Sequence, residues 1–104
     1  MRDTFFEVRI ALEAQIAVEF GGRPVPDDYA VMLQVLIDEQ WQTVFLVDNA
    51  HEAHHCHRYT GAEKEPAEPF YEGPASHAIR NAVDYIDEHA EELIDDWRDR
   101  TEHG

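Results

Sequence analysis

The sequence is poor in cysteine, in lysine and in long apolar runs. Its 104 residues include one cysteine, Cys56, and one lysine, Lys64. A single cysteine cannot form a disulfide within the chain, which excludes a secreted disulfide scaffold and favours a reduced, cytoplasmic protein. No stretch approaches the roughly 18 apolar residues that span a bilayer, and no signal-peptide pattern is visible, so we expect no membrane attachment.

Positive charge is also scarce, because 8 basic residues face 23 acidic ones and leave a formal net charge of -15. An acidic, lysine-poor surface is typical of proteins that stay hydrated in molar salt, where the Debye length falls to about 3 Å and self-repulsion nearly vanishes. We therefore expect a halophilic source. In dilute buffer the same charge would argue against nucleic-acid binding, but in molar salt that argument is weak.

The first half of the chain predicts β-strands within one domain that spans residues 1–104. Apolar residues occupy every even position from Phe6 to Phe20, which is the period of a strand and not of a helix. Fifteen extended residues would reach about 50 Å, so we expect a break near residues 12–15 and either one bent strand or two paired strands. The same alternation in Tyr29–Ile37 and Trp41–Val47 predicts a hairpin that turns at Asp38 to Gln40.

The second half predicts a loop and a helix. Strands are expected over about 5–59, the last of them a short one through His55, His57 and Tyr59. Residues 61–75 are rich in glutamate and proline and predict an acidic surface loop, and Ser76 is the expected cap of a helix over about 76–99. The fold class is thus α+β: an antiparallel β-meander of three to five strands with a C-terminal helix packed on one face, which leaves the other face open.

Four of the seven histidines and the only cysteine fall within the segment 51–57. One interpretation is a zinc site, since imidazole is a common zinc ligand; the candidate ligands are His51, His54, His55 and His57. The other chemical interpretation is cleavage of RNA without a metal cofactor. That reaction needs a general base, a general acid and a cation over the phosphate.

The candidate catalytic residues for RNA cleavage are His55 and His57 as base and acid, Arg58 on the phosphate and Asp48 to orient an imidazole. The residues leave two further interpretations open, a solvated histidine-rich loop and a protein interface. Cys56 is expected to point into the core and not to act as a nucleophile.

The segments Val47–His51 and His54–Tyr59 resemble the TumE-like toxins of toxin–antitoxin systems. In that family a strand-rich chain leads to a D-N-A segment, a histidine cluster, a loop and a terminal helix. The resemblance implies a toxin that acts on RNA, is neutralised by an antitoxin protein, and uses Asp48, Asn49, His55, His57 and Arg58. The alternative is a small non-enzymatic metal-binding or protein-interaction domain, for which a homodimer through the open sheet face is one arrangement.

Overall fold

A computed structural model describes residues 2–22, 24–50 and 53–103 of the chain. Within these ranges an antiparallel sheet of seven strands packs against one C-terminal helix. The elements are β1 Thr4–Ala11, β2 Ala14–Gly21, β3 Asp28–Ile37, β4 Gln40–Asp48, β5 His54–Thr60, β6 Glu63–Lys64, β7 Glu68–Tyr71 and α1 Ala75–His103. The α+β fold class is confirmed.

The sheet is larger than the expected three to five strands for two reasons. The alternating run Phe6–Phe20 divides into two antiparallel strands, β1 and β2. The expected loop over 61–75 instead contributes β6 and β7, which both pair with β5. The strand order is β1-β2-β3-β4-β5-β6, and β7 continues beside β5 after β6 ends.

The helix begins and ends outside the predicted limits. The amides of His77 and Ala78 donate to the carbonyl of Pro74, so the cap is Pro74 and the prediction that Ser76 caps the helix is wrong. The C-terminal end lies at His103 and not near residue 99. Alternating apolar side chains of β2, β3 and β4 meet one stripe of the helix, and this contact forms the core. Its buried members include Ile16, Val18, Tyr29, Val31, Leu33, Phe45, Val47, Ala78, Ala82, Ile86, Leu93 and Trp97.

The turn between β7 and α1 depends on a glycine. Gly73 has a φ of 144°, and a Cβ built there would lie 2.8 Å from Cε2 of Tyr71. We expect Gly73→Ala to lower the free energy of unfolding by about 2 kcal/mol, because it adds this clash to an unfavourable backbone conformation. Gly61 is the matched control: its φ is 58° and nothing lies within 4 Å of a built Cβ.

Denaturant unfolding at one fixed salt concentration measures both variants. Gly61→Ala should cost about 1 kcal/mol, the backbone contribution alone. Equal losses for the two variants would show that the Tyr71 contact does not restrict residue 73.

Candidate functional site

Strand β5 presents different side chains to its two faces. Opposite residues of an antiparallel pair share a face, and successive residues alternate. Phe45 is paired with Arg58, and both contact the helix, Phe45 through the ring of Tyr85 and Arg58 through Asp96. The intervening residues of β5 therefore point away from the helix. We call the side of the sheet that points away from the helix the open face; it carries Asp48, His55, His57, Tyr59 and Lys64.

Asp48 is the most buried acidic residue of the open face. It lies at the end of β4 directly opposite His55, and the residue is only 7 % exposed. Its Oδ1 atom is buried and has no hydrogen-bond partner. A buried carboxylate oxygen without a partner lowers the free energy of unfolding, and a role in binding or catalysis is one reason for a protein to retain such a group.

His57 lies two residues beyond His55 on the same face. Its Nδ1 is 2.9 Å from the carbonyl oxygen of Glu65. Because a carbonyl only accepts, Nδ1 carries the proton that it donates, and in the neutral ring Nε2 keeps an available lone pair. The Glu65 contact thus fixes both the orientation and the tautomer that a general base needs.

His55 lies between Asp48 on β4 and Pro69 on β7. A cleft of about 430 Å³ opens beside it, lined also by His54, Tyr71 and Gly73. Residues i and i+2 of a strand are separated by roughly 6.6 Å, so the Cα atoms of His55 and His57 are about one phosphodiester unit apart.

Arg58 does not share this face. Its Nη1 donates to Oδ2 of Asp96 at 3.1 Å, and the same oxygen accepts from Nε of Arg100 at 2.9 Å. The guanidinium also lies over the ring of Phe45. Arg58 therefore ties the sheet to α1. Lys64, by contrast, lies on the open face, where it is exposed and pairs with Tyr59.

Two further residues of the sequence motif support the backbone. Asn49 accepts from the amide of Tyr29 at 3.0 Å and donates to the carbonyl of Asp27 at 2.6 Å, so both ends of its amide are used to join β4 to the start of β3. His54 accepts the hydroxyl proton of Tyr29 at Nδ1 and donates from Nε2 to the carbonyl of Gly73, each at 2.7 Å. Neither nitrogen of His54 is left for a ligand.

Cys56 faces the core beside Val47, as expected from the sequence. Burial raises the pKa of its thiol above the ordinary value, and the carboxylate of Glu68 raises it further, while Arg58 lowers it. Because the thiolate is the reactive form, this environment disfavours a nucleophilic role.

No group of three or more histidine, cysteine or acidic side chains in the described ranges could hold a metal ion. Of the candidate zinc ligands, His51 lies outside the described residues. His55 and His57 share the open face, whereas His54 is on the other side with both nitrogens engaged.

Two tyrosines make stability sensitive to alkaline pH. Burial raises the pKa of the Tyr29 and Tyr59 phenols above the ordinary value, and the carboxylate of Asp48 adds to both shifts. The unfolded chain releases these protons near pH 10 while the folded chain still holds them. Their contribution to stability is therefore complete below about pH 10 and is lost as the pH rises further.

Denaturant unfolding at about pH 9 and about pH 11 tests this expectation. The free energy of unfolding should be lower at about pH 11 than at about pH 9, and this decrease should be smaller in Tyr59→Phe than in the wild type. An identical fall in the wild type and this variant would contradict it.

The chain belongs to the family described as Domain of unknown function (DUF7718), which matches residues 1–103. No curated protein and no solved structure matches the chain. No helix in the described ranges has the length and apolar character that crossing a membrane requires. The resemblance to TumE-like toxins therefore rests on the sequence motif alone.

Proposed function

We propose that this chain is the toxin of a toxin–antitoxin system and that it cleaves RNA without a metal cofactor. The observation that supports this chemistry is that His55 and His57 lie on the same face of β5, with the buried Asp48 carboxylate opposite His55. The assignment as a toxin rests on the resemblance of Val47–His51 and His54–Tyr59 to the TumE-like family. The partner is then an antitoxin protein, and the substrate is RNA.

The proposed reaction is an internal transfer of the phosphodiester bond. His57 Nε2 accepts the proton of a ribose 2′-hydroxyl, and the 2′-oxygen attacks the adjacent phosphorus. The bond from phosphorus to the 5′-oxygen breaks, and protonated His55 donates its proton to that leaving oxygen. The products are a 2′,3′-cyclic phosphate and a free 5′-hydroxyl.

Two other residues assist these histidines. Asp48 lies opposite His55 with its buried Oδ1 free of any hydrogen bond, and we assign to its carboxylate the stabilisation of the protonated imidazole during the reaction. Lys64 replaces Arg58 as the cation that stabilises the phosphate charge in the transition state, because it is the lysine on the open face and Arg58 is held by Asp96 on the other.

Because Asp48 is buried, its replacement should change stability and activity in opposite directions. We expect Asp48→Asn to raise the free energy of unfolding by about 1 kcal/mol, because a neutral amide loses less on leaving water than a carboxylate does. The same change should slow RNA cleavage, because the amide cannot carry the charge that stabilises protonated His55.

The control for Asp48→Asn is Asp87→Asn, which removes an exposed carboxylate from α1. It removes one negative charge, as Asp48→Asn does, and should change neither the free energy of unfolding nor the rate of RNA cleavage by a comparable amount. Unfolding in concentrated KCl and cleavage of a short RNA measure the two effects. A less stable Asp48→Asn with full activity would contradict the assigned role.

Induced expression in a salt-adapted host tests the proposed function as a whole. The wild-type chain should stop growth, and His55→Ala/His57→Ala should not, at equal protein levels. His77→Ala is the matched control, since His77 is exposed on α1 away from the open face. Growth that continues when the wild-type chain is folded and abundant would refute the toxin assignment.

A further inference from the structure

Among the described residues, strand β1 forms a free edge of the sheet, and most of its side chains are apolar. Nearly all of its residues are exposed, and Phe5, Phe6 and Val8 are 57 %, 43 % and 42 % exposed. In the part of the chain that the structure describes, β1 ends the strand order and has β2 as its one neighbour. A strand in this position presents unpaired backbone amides and carbonyls to whatever approaches.

The opposite edge of the sheet is built differently. β6 has two residues and β7 has four, Pro66 and Pro69 interrupt the segment, and the register shifts between His54 and His55. Short strands, prolines and irregular register are the devices by which natural sheets prevent edge-to-edge pairing. β1 has eight residues and no proline, and its register shifts only near its C-terminal end, between Arg9 and Ala11. The contrast indicates that the β1 edge is covered by a partner and not by solvent.

The order of side chains along β1 indicates what the partner is. In a twofold antiparallel pair with a second copy, opposite residues share a face. The twofold axis therefore passes between the two copies of one residue, which lie opposite each other. With the axis at Val8, Glu7 of each copy lies opposite Arg9 of the other, and Phe6 lies opposite Ile10. Charges of opposite sign and apolar side chains then meet on both sides of the axis.

Neighbouring registers lack this complementarity. An axis at Glu7 places two glutamates opposite each other, and an axis at Arg9 places two arginines opposite each other. An axis at Ile10 places Glu7 opposite Glu13, which have the same charge. An axis at Phe6 places Glu7 opposite the apolar Phe5. β1 is thus self-complementary in one register.

The partners that Glu7 and Arg9 already have leave them capacity for this contact. Glu7 accepts one hydrogen bond, from Gln15, and Arg9 lies over Trp41 and donates to the carbonyl of Leu12. A carboxylate accepts about four hydrogen bonds and a guanidinium donates five.

We propose that the chain forms a twofold dimer in which β1 pairs with β1 of a second copy, antiparallel and centred on Val8. The two sheets become one continuous sheet, and both open faces lie on the same side of it. The two His55/His57 pairs then belong to one surface. The proposal does not depend on RNA cleavage.

Light scattering and sedimentation equilibrium of the full chain in concentrated KCl test the dimer. The wild type should have twice the mass of the 12.0 kDa chain. Val8→Lys should be a monomer with an unchanged circular dichroism spectrum, because it replaces an apolar contact at the axis with two ammonium groups that would have to leave water. Val25→Lys, at a residue 61 % exposed outside β1, should remain a dimer.

Charge exchange tests the register. At the lowest salt concentration that keeps the chain folded, Glu7→Arg and Arg9→Glu should each weaken the dimer by roughly tenfold. The double variant Glu7→Arg/Arg9→Glu should restore it, whereas its pairing with the wild type should be about as weak as that of the single variants. A wild-type monomer at every concentration, a dimer that survives Val8→Lys, or a double variant without recovery would each overturn the proposal.

Discussion

Replacement of His57 by alanine should slow RNA cleavage by roughly 10² to 10⁴-fold while leaving the fold intact. This range is typical for the loss of one general acid or base. His57 has the orientation that a base requires, because its Nδ1 donates to the carbonyl of Glu65 and Nε2 remains available. Its ring contributes little to the core, since it lies on the open face and is only half-buried.

Cleavage of a short RNA by His57→Ala, His55→Ala and the double variant measures the effect. Because the two histidines act in one reaction, the double variant should lose little more than the worse single variant. His77→Ala controls for the loss of an exposed imidazole. Full activity in folded His57→Ala would remove His57 from the reaction.

Replacement of His54 by alanine should instead destabilise the chain, by about 3 kcal/mol. His54 joins three separate parts of the fold, because it bonds the hydroxyl of Tyr29 on β3 and the carbonyl of Gly73 before the helix. It also stacks on Tyr29 with ring centroids 5.6 Å apart. Two net hydrogen bonds at about 1 kcal/mol each, and one ring contact at about 1 kcal/mol, give this sum.

A double-mutant cycle with Tyr29→Phe isolates the hydrogen bond between the Tyr29 hydroxyl and Nδ1 of His54. Tyr29→Phe alone should cost about 1 to 2 kcal/mol, since it leaves Nδ1 of His54 without a donor. Losses that add fully in the double variant would show that the two residues are not coupled. RNA cleavage by His54→Ala should remain near wild type below its unfolding transition, and its loss in the folded variant would place His54 in the site.

The strand alternation of the sequence was sufficient to predict most of the fold. Of the even apolar positions, Ile10, Ile16, Val18 and Phe20 pack in or against the core, and the expected break does separate β1 from β2. The strands beyond Gly61 were missed because prolines argue against strands. Pro69 is tolerated in β7 because this strand lies at the edge, where a missing amide costs no ladder hydrogen bond.

The candidate site was only partly predictable. Alternation places His55 and His57 together, and it equally places Arg58 on the opposite face, so the expectation that Arg58 stands beside them on the phosphate overlooked a regularity of strands. The hairpin at Gly61 brings Lys64 to the open face. The sequence feature that could have pointed to Lys64 as a functional residue is that it is the single lysine of an acidic chain. The contacts of His54 join residues 25 and 19 positions apart, which no local pattern reveals.

Incubation of the purified chain with total RNA in concentrated KCl, with and without EDTA, tests the central claim most directly. The account predicts cleavage by the wild type that EDTA does not reduce, products ending in 2′,3′-cyclic phosphate, and no cleavage by His55→Ala/His57→Ala. Cleavage that EDTA abolishes, or that the double variant retains, would contradict the metal-free mechanism. Intact RNA in the presence of folded wild-type protein would contradict ribonuclease activity altogether.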